Sequence, residues 1–136
     1  QLLGTSPLIN ALEVKIKTLS PERNLMHLVW EKNDQEIILK CEQKQGSYEV
    51  GKPLKLIIQA DDIALSRQKL TQVSIQNQLA GRVQELIPRE SHLLCQVDVG
   101  FPLVVQISRE AQLDLGIDIG TEVWCLFKSA GIEALG

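Results

Sequence analysis

Aromatic side chains are scarce in this chain, with two Trp, two Phe and one Tyr among 136 residues. That leaves few platforms on which unpaired bases could stack. Positive charge is not in excess either. Fourteen Lys and Arg against 17 Asp and Glu give a net charge of −3 and a pI near 5.4, which is no electrostatic footprint for a nucleic acid. The same balance does nothing to attract an anion, so any anion site has to be built locally. No stretch approaches the roughly 18 consecutive apolar residues of a membrane helix. The start, Gln1-Leu2-Leu3-Gly4, has no basic leader and no initiator Met, and the expectation is a piece of a longer protein. Cys41, Cys95 and Cys125 are odd in number and widely spaced. They sit in apolar settings such as Leu93-Leu94-Cys95 and Trp124-Cys125-Leu126, and so read as reduced core residues of a cytoplasmic protein.

Catalytic signatures are missing as well. There is no nucleophile elbow, P-loop, dinucleotide fingerprint or Ser/His/Asp spacing, so no catalysis is expected of this chain. Gly51-Lys52-Pro53 lacks the glycine spacing and the following helix of a phosphate loop. His27 and His92 have no Cys or Asp at ligand spacing, and the expectation is no metal site and no cofactor.

What is present is a globular composition, 44% hydrophobic and 23% charged, enough for one ordinary domain or two very small ones. After a lead-in over residues 1–10, Leu12, Val14 and Ile16 alternate with Lys15 and Lys17, the pattern of a strand with one face buried. Turn clusters at Ser20 to Asn24 and at Asn33-Asp34 separate further strands at Leu25 to Trp30 and Ile37 to Leu39. A fourth, Leu54 to Gln59, is entered through Gly51-Lys52-Pro53. The second half repeats this plan. Setting Leu12 to Ile16 over Leu79 to Val83 also brings Pro21 onto Pro88, 67 residues on. Near the ends, Val50-Gly51 falls on Ile119-Gly120 and Ile63 on Ile132. A tandem duplication of a unit of about 60 residues accounts for these coincidences.

The copies differ after their third strand. The first has a polar loop, Glu42 to Tyr48. The second has Ser108-Arg109-Glu110-Ala111-Gln112-Leu113-Asp114-Leu115-Gly116, which predicts a short helix with Ser108 as N-cap, Leu113 facing inward and Gly116 as the stop. Five short strands with a helix between the third and fourth outline an all-β protein of two tandem OB-like five-stranded barrels, with an up-and-down barrel or a sandwich as the alternative. The boundaries are a first, degenerate barrel over 11–67, a linker over 68–73 and a second barrel over 74–136.

A tetrahedral oxyanion presents only acceptor oxygens and negative charge. Its site needs converging N–H and O–H donors, a cation, and no ionised carboxylate nearby. The second copy offers such a set: Ser74, Gln76 and Asn77 ahead of its first strand, Ser108 at the helix N-terminus, and Lys128-Ser129 after the strand Val123 to Phe127. At the corresponding steps the first copy has Glu42 and Gln59-Ala60-Asp61-Asp62.

These residues carry a resemblance. Residues 72–135 are similar to the Mop, or TOBE, family of small oxyanion-binding barrels. The likeness lies in Ser74-Ile75-Gln76-Asn77-Gln78-Leu79-x-Gly81-x-Val83, Val105-Gln106-Ile107-Ser108, Leu113-x-Leu115-Gly116, Gly120-x-x-Val123 and Phe127-Lys128-Ser129. The first half, through Pro21 to Leu28 and Ile58 to Leu65, resembles what precedes that module in the ATP-binding subunits of molybdate transporters. The resemblance implies an OB-like fold and a ligand, molybdate or tungstate, held at an interface between modules by Ser74, Gln76, Asn77, Ser108, Lys128 and Ser129. It also implies a homodimer that regulates transport from the inner face of the membrane beside a permease subunit, with no nucleic acid partner. The alternatives are a dimerisation module with a decayed anion site and a free molbindin-like protein. Gln76, where the family often has Arg, and Ala111, where it has a second hydroxyl, depart from the fuller pattern.

Overall fold

A computed structural model describes residues 8–44 and 46–136. The first half builds strands β1 (Ile9–Ser20), β2 (Leu25–Lys32), β3 (Gln35–Glu42), β4 (Pro53–Gln59) and β5 (Ala64–Ser66). The second builds β6 (Asn77–Pro88), β7 (Leu93–Asp98), β8 (Pro102–Ile107), helix α1 (Arg109–Leu115), β9 (Glu122–Phe127) and β10 (Ile132–Leu135). Along β1 the residues alternate as the sequence pattern requires: Asn10, Leu12, Val14 and Ile16 are buried and Lys15 is not. The strands form two curled antiparallel sheets of five, the OB-like architecture expected from the sequence. No helix among the described residues is long and apolar enough to cross a membrane.

The fifth strands are exchanged. The sheet of the first half runs β10-β4-β1-β2-β3 and that of the second runs β5-β9-β6-β7-β8. Thus β10 pairs with β4 through Ile132↔Ile58, and β5 pairs with β9 through Ala64↔Leu126. Each half lends its last strand to the other, which local patterns cannot reveal because a three- or four-residue strand carries no mark of its partner. The two sheets share one apolar core that takes in Leu28, Leu56, Ile63, Val105, Phe127 and Ile132.

The two halves match step by step in the backbone. Each long first strand carries a bulge at the same step, between Ile16 and Thr18 in β1 and between Val83 and Glu85 in β6, and a bulge bends the strand so that the sheet can curl. Into each bulge docks a tight turn: Gly51 N–H donates to Ile16 O at 2.7 Å and Gly120 N–H to Val83 O at 2.8 Å. Both glycines have φ +89°, the left-handed value needed at the third position of a type II turn.

A second matched pair closes the open edges. Asn10 and Asn77, 7% and 3% exposed, stand at the same step of β1 and β6. Asn77 Oδ1 accepts from Lys40 N–H, and its Nδ2 donates to Lys40 O, both at 2.8 Å. Asn10 Oδ1 accepts from Val104 N–H at 2.7 Å, and its Nδ2 donates to Val104 O at 2.9 Å. Lys40 and Val104 lie on β3 and β8, the edge strands of the opposite sheets. One amide side chain thus imitates a single step of ladder and covers backbone groups that would otherwise be unpaired.

The helix forms as its caps predict. Ser108 Oγ accepts from Ala111 N–H at 3.0 Å, and Gly116 closes the C-terminus at φ +64°. Leu113 is a correction: it is 78% exposed. The helix has only seven residues and lays Ala111 and Leu115, one turn apart, toward the barrel. Leu113 therefore falls about 200° round from Ala111, on the outer side. Ile117, just past the Gly116 reversal, supplies the buried contact instead.

Candidate functional site

The segments that carry four of the six residues singled out from the sequence leave the second sheet at the same end. Asn77 pairs with Phe127 on the β6–β9 ladder, so Gln76 and Lys128 leave the sheet side by side, with Ser74 behind the one and Ser129 beyond the other. Lys128 stands as N-cap of a 3₁₀ turn over Ser129–Gly131, and that turn packs against β3 of the other sheet. Ser74, Gln76 and Lys128 are exposed and Ser129 is half-buried. Each of the four is able to donate to an acceptor-only ligand, and of the four Lys128 lines the groove described below.

Asn77 and Ser108 stand apart from this group for different reasons. Both polar atoms of Asn77 are engaged by Lys40, so its side chain holds β3 against the loop that carries Ser74 and Gln76. Ser108 follows Ile107, which pairs with Leu93, which in turn pairs with Pro88 at the far end of β6. Within one chain Ser108 and Lys128 thus sit at opposite ends of the same ladder.

An open groove of about 460 Å³ runs past Lys128, with Ile75, Phe127 and Gly131 among its lining residues. Asp61 and Asp62 of the first half line it as well. Their presence follows from the strand exchange, since Ala64 pairs with Leu126, and stepping back two residues sets Asp62 level with Lys128. Sequence reasoning placed these carboxylates in the first copy, where they would keep an anion out. The ladder instead puts them beside the second copy's lysine. Lys40 was also missed, because a backbone partner for Asn77 leaves no pattern in the sequence.

The three thiols are buried and free. Burial pushes Cys41 and Cys95 up to about 11, and burial with the neighbouring Cys95 pushes Cys125 up to about 12. They are protonated core residues at neutral pH. His27 and His92 do not converge with other ligand side chains, and among the described residues no group of three or more His, Cys, Asp or Glu could hold a metal ion.

Residues 73–133 match the TOBE domain family. Among relatives, the molybdenum import ATP-binding protein ModC of Pseudomonas fluorescens is 34% identical over 88 residues, covering 62% of this chain and 24% of that protein. ModC of Methylococcus capsulatus is 36% identical over 87 residues, covering 61% of this chain and 24% of that protein. The chain spans about a quarter of the length of the curated relatives it matches. Among solved structures, the cytoplasmic molybdate-binding protein ModG, in a crystal form with molybdate bound, has the same fold. Its TM-score is 0.69 at 14% identity, covering 93% of this chain and 94% of that one.

Proposed function

Residues 73–133 form a TOBE domain, and from that premise we propose that the chain is a non-catalytic, oxyanion-binding regulatory domain of the ATP-binding subunit of a molybdate importer. The observation that supports the reading is the β6–β9 register, Asn77 opposite Phe127, from which the chain continues directly into Gln76 on one side and Lys128 on the other, within the segment matched to the family. Molybdate or tungstate, both tetrahedral dianions, would accept from Ser74, Gln76, Ser129 and the Lys128 ammonium. Asn77 acts by positioning, since its clamp on Lys40 fixes the loop that carries the first two donors. Ser108, remote within one chain, would be supplied by the facing module of a second copy. A site shared between two copies couples occupancy to their arrangement. If the anion binds one arrangement more tightly than the other, it biases the pair, and that bias would restrain ATP hydrolysis and transport through the permease partner when intracellular anion is plentiful.

Calorimetric titration with sodium molybdate tests the reading, with Lys128→Ala and Ser129→Ala as comparisons. Binding weakened about ten-fold by loss of the charged donor is the expected result, and absence of heat at millimolar anion sinks it. One observation favours a second reading, a dimerisation module without a working anion site: two carboxylates share the groove with Lys128. In that case sedimentation gives the same dimer with and without molybdate, and Lys128→Ala is silent.

A further inference from the structure

The carboxylates of Asp61 and Asp62 are an unexpected neighbour for an anion site, and they reach it only through the exchanged strand. Asp61 and Asp62 form the 3₁₀ turn Ala60–Asp62 that leads into β5. Because β5 joins the second sheet at Ala64↔Leu126, that turn and the Lys128 turn are brought together at the mouth of one groove. Asp61, Asp62 and Lys128 are all exposed, and among the described residues Lys128 makes an ion pair with neither. The groove therefore holds one ammonium against two carboxylates, a formal local charge of −1. An approaching dianion meets net repulsion at long range, and attraction only once it touches the donors.

We propose that Asp61 and Asp62 are affinity- and charge-selecting residues of the oxyanion site, raising the anion concentration at which it fills. The proposal rests on the reading above that Lys128 contacts the anion. A site weakened in this way responds to anion in surplus rather than to traces. Because Coulomb repulsion scales with the product of charges, the carboxylates act twice as strongly, in logarithmic terms, on a dianion as on a monoanion of the same shape. For carboxylates roughly 8 Å from the anion, removing both tightens dianion binding on the order of three- to four-fold at 0.15 M ionic strength. At 0.01 M, where screening is weak, the gain exceeds roughly ten-fold.

The test is a titration of the 136-residue chain with sodium molybdate, and with perchlorate as a tetrahedral monoanion, at low and physiological ionic strength. The variants are Asp61→Asn/Asp62→Asn, the serine pair Asp61→Ser/Asp62→Ser in case the asparagines disturb the turn, and Glu31→Gln/Asp34→Asn. The last neutralises two carboxylates on the β2–β3 hairpin, at the far end of β3 from Lys40, and so matches the change in net charge without touching the groove. Tighter molybdate binding in both groove variants, a gain that shrinks with salt, a smaller gain for perchlorate and none in the hairpin variant support the proposal. If wild type binds molybdate and the groove variants bind it no better, or the hairpin variant gains as much, the proposal is overturned while the sensor reading stands. If only the groove variants bind, the carboxylates block the site in the native chain rather than tune it, and both the proposal and the sensor reading fall. If none binds, both fall.

Discussion

Gln59 and Lys128 occupy the same step of the two halves. Each leads into a 3₁₀ turn at nearly the same backbone angles, φ −71° and ψ 139° against φ −77° and ψ 149°, and each turn ends on a buried isoleucine, Ile63 or Ile132. The scaffold steps are kept in duplicate: the bulges in β1 and β6, the turns at Gly51 and Gly120, the edge clamps of Asn10 and Asn77. The chemistry carried on those steps is not. One half presents Gln59-Ala60-Asp61-Asp62 and the other Lys128-Ser129-Ala130-Gly131. The exchange of β5 and β10 then removes the separation that the sequence suggests, since it brings the acidic turn into the groove of the basic one. With the last strands exchanged, the neighbours of a residue are therefore set by which sheet its strand joins rather than by which half it comes from.

The comparison breaks most visibly where a strand is removed. A chain ending at Gly131 loses β10, whose Ile132 is 1% exposed and pairs with Ile58. The cost is about 3–5 kcal/mol from the buried side chain and the ladder. Hydrogen exchange should lose protection first in β4 of the first sheet, and loss confined to β9 instead would contradict the exchange.

Next in size is the step where the halves differ inside matched strands. β1 has Val14 where β6 has Gly81. A Cβ on Gly81 would lie 2.7 Å from Asp98 O and from Val97 Cγ1, because the strands approach closely there. Gly81→Val is expected to cost more than about 3 kcal/mol in denaturant unfolding, although the other half carries a valine at that step.

The edge clamps should behave alike. Asn10→Ala and Asn77→Ala each leave a backbone N–H and C=O unpaired at a sheet edge, and each should cost about 2–3 kcal/mol. A silent Asn77→Ala would show that β3 is held by other contacts.

Smaller again is a pH effect from the core thiols. Their folded pKa values lie above the ordinary value of 9.0, near 11 for Cys41 and Cys95 and near 12 for Cys125. Well below pH 9, the ordinary thiol value, both states are protonated and stability is unaffected. As pH rises from 9 toward 11 and beyond, the unfolded thiols ionise while the folded ones do not, so the unfolded state binds fewer protons and stability falls. Denaturant midpoints across that range should decline, and less so in Cys125→Ala. Least of all, Leu113→Ser on the outer side of α1 should change stability by under about 0.5 kcal/mol.

Much of this was legible in the residues. The alternation of Leu12, Val14 and Ile16, the Ser108 and Gly116 caps and the matched Val50-Gly51 and Ile119-Gly120 turns are local signals, and local physics honours them. The outward Leu113 needed the rotation of a short helix on its barrel, which periodicity over seven residues does not fix. The partners of β5 and β10, the clamp of Asn77 on Lys40 and the place of Asp61 and Asp62 beside Lys128 are long-range facts. The same six site residues were named from donor chemistry and family likeness, and only the ladders separate Ser108 from Lys128 and give Asn77 its structural occupation.

The most direct test of an oxyanion site at the meeting of the β6 and β9 turns is a residue-resolved one. In backbone amide NMR spectra recorded through a molybdate titration, the account predicts saturating shifts centred on Ser74 to Asn77 and Lys128 to Ser129, abolished by Lys128→Ala. Shifts that centre elsewhere, or that survive the loss of Lys128 unchanged, would contradict it.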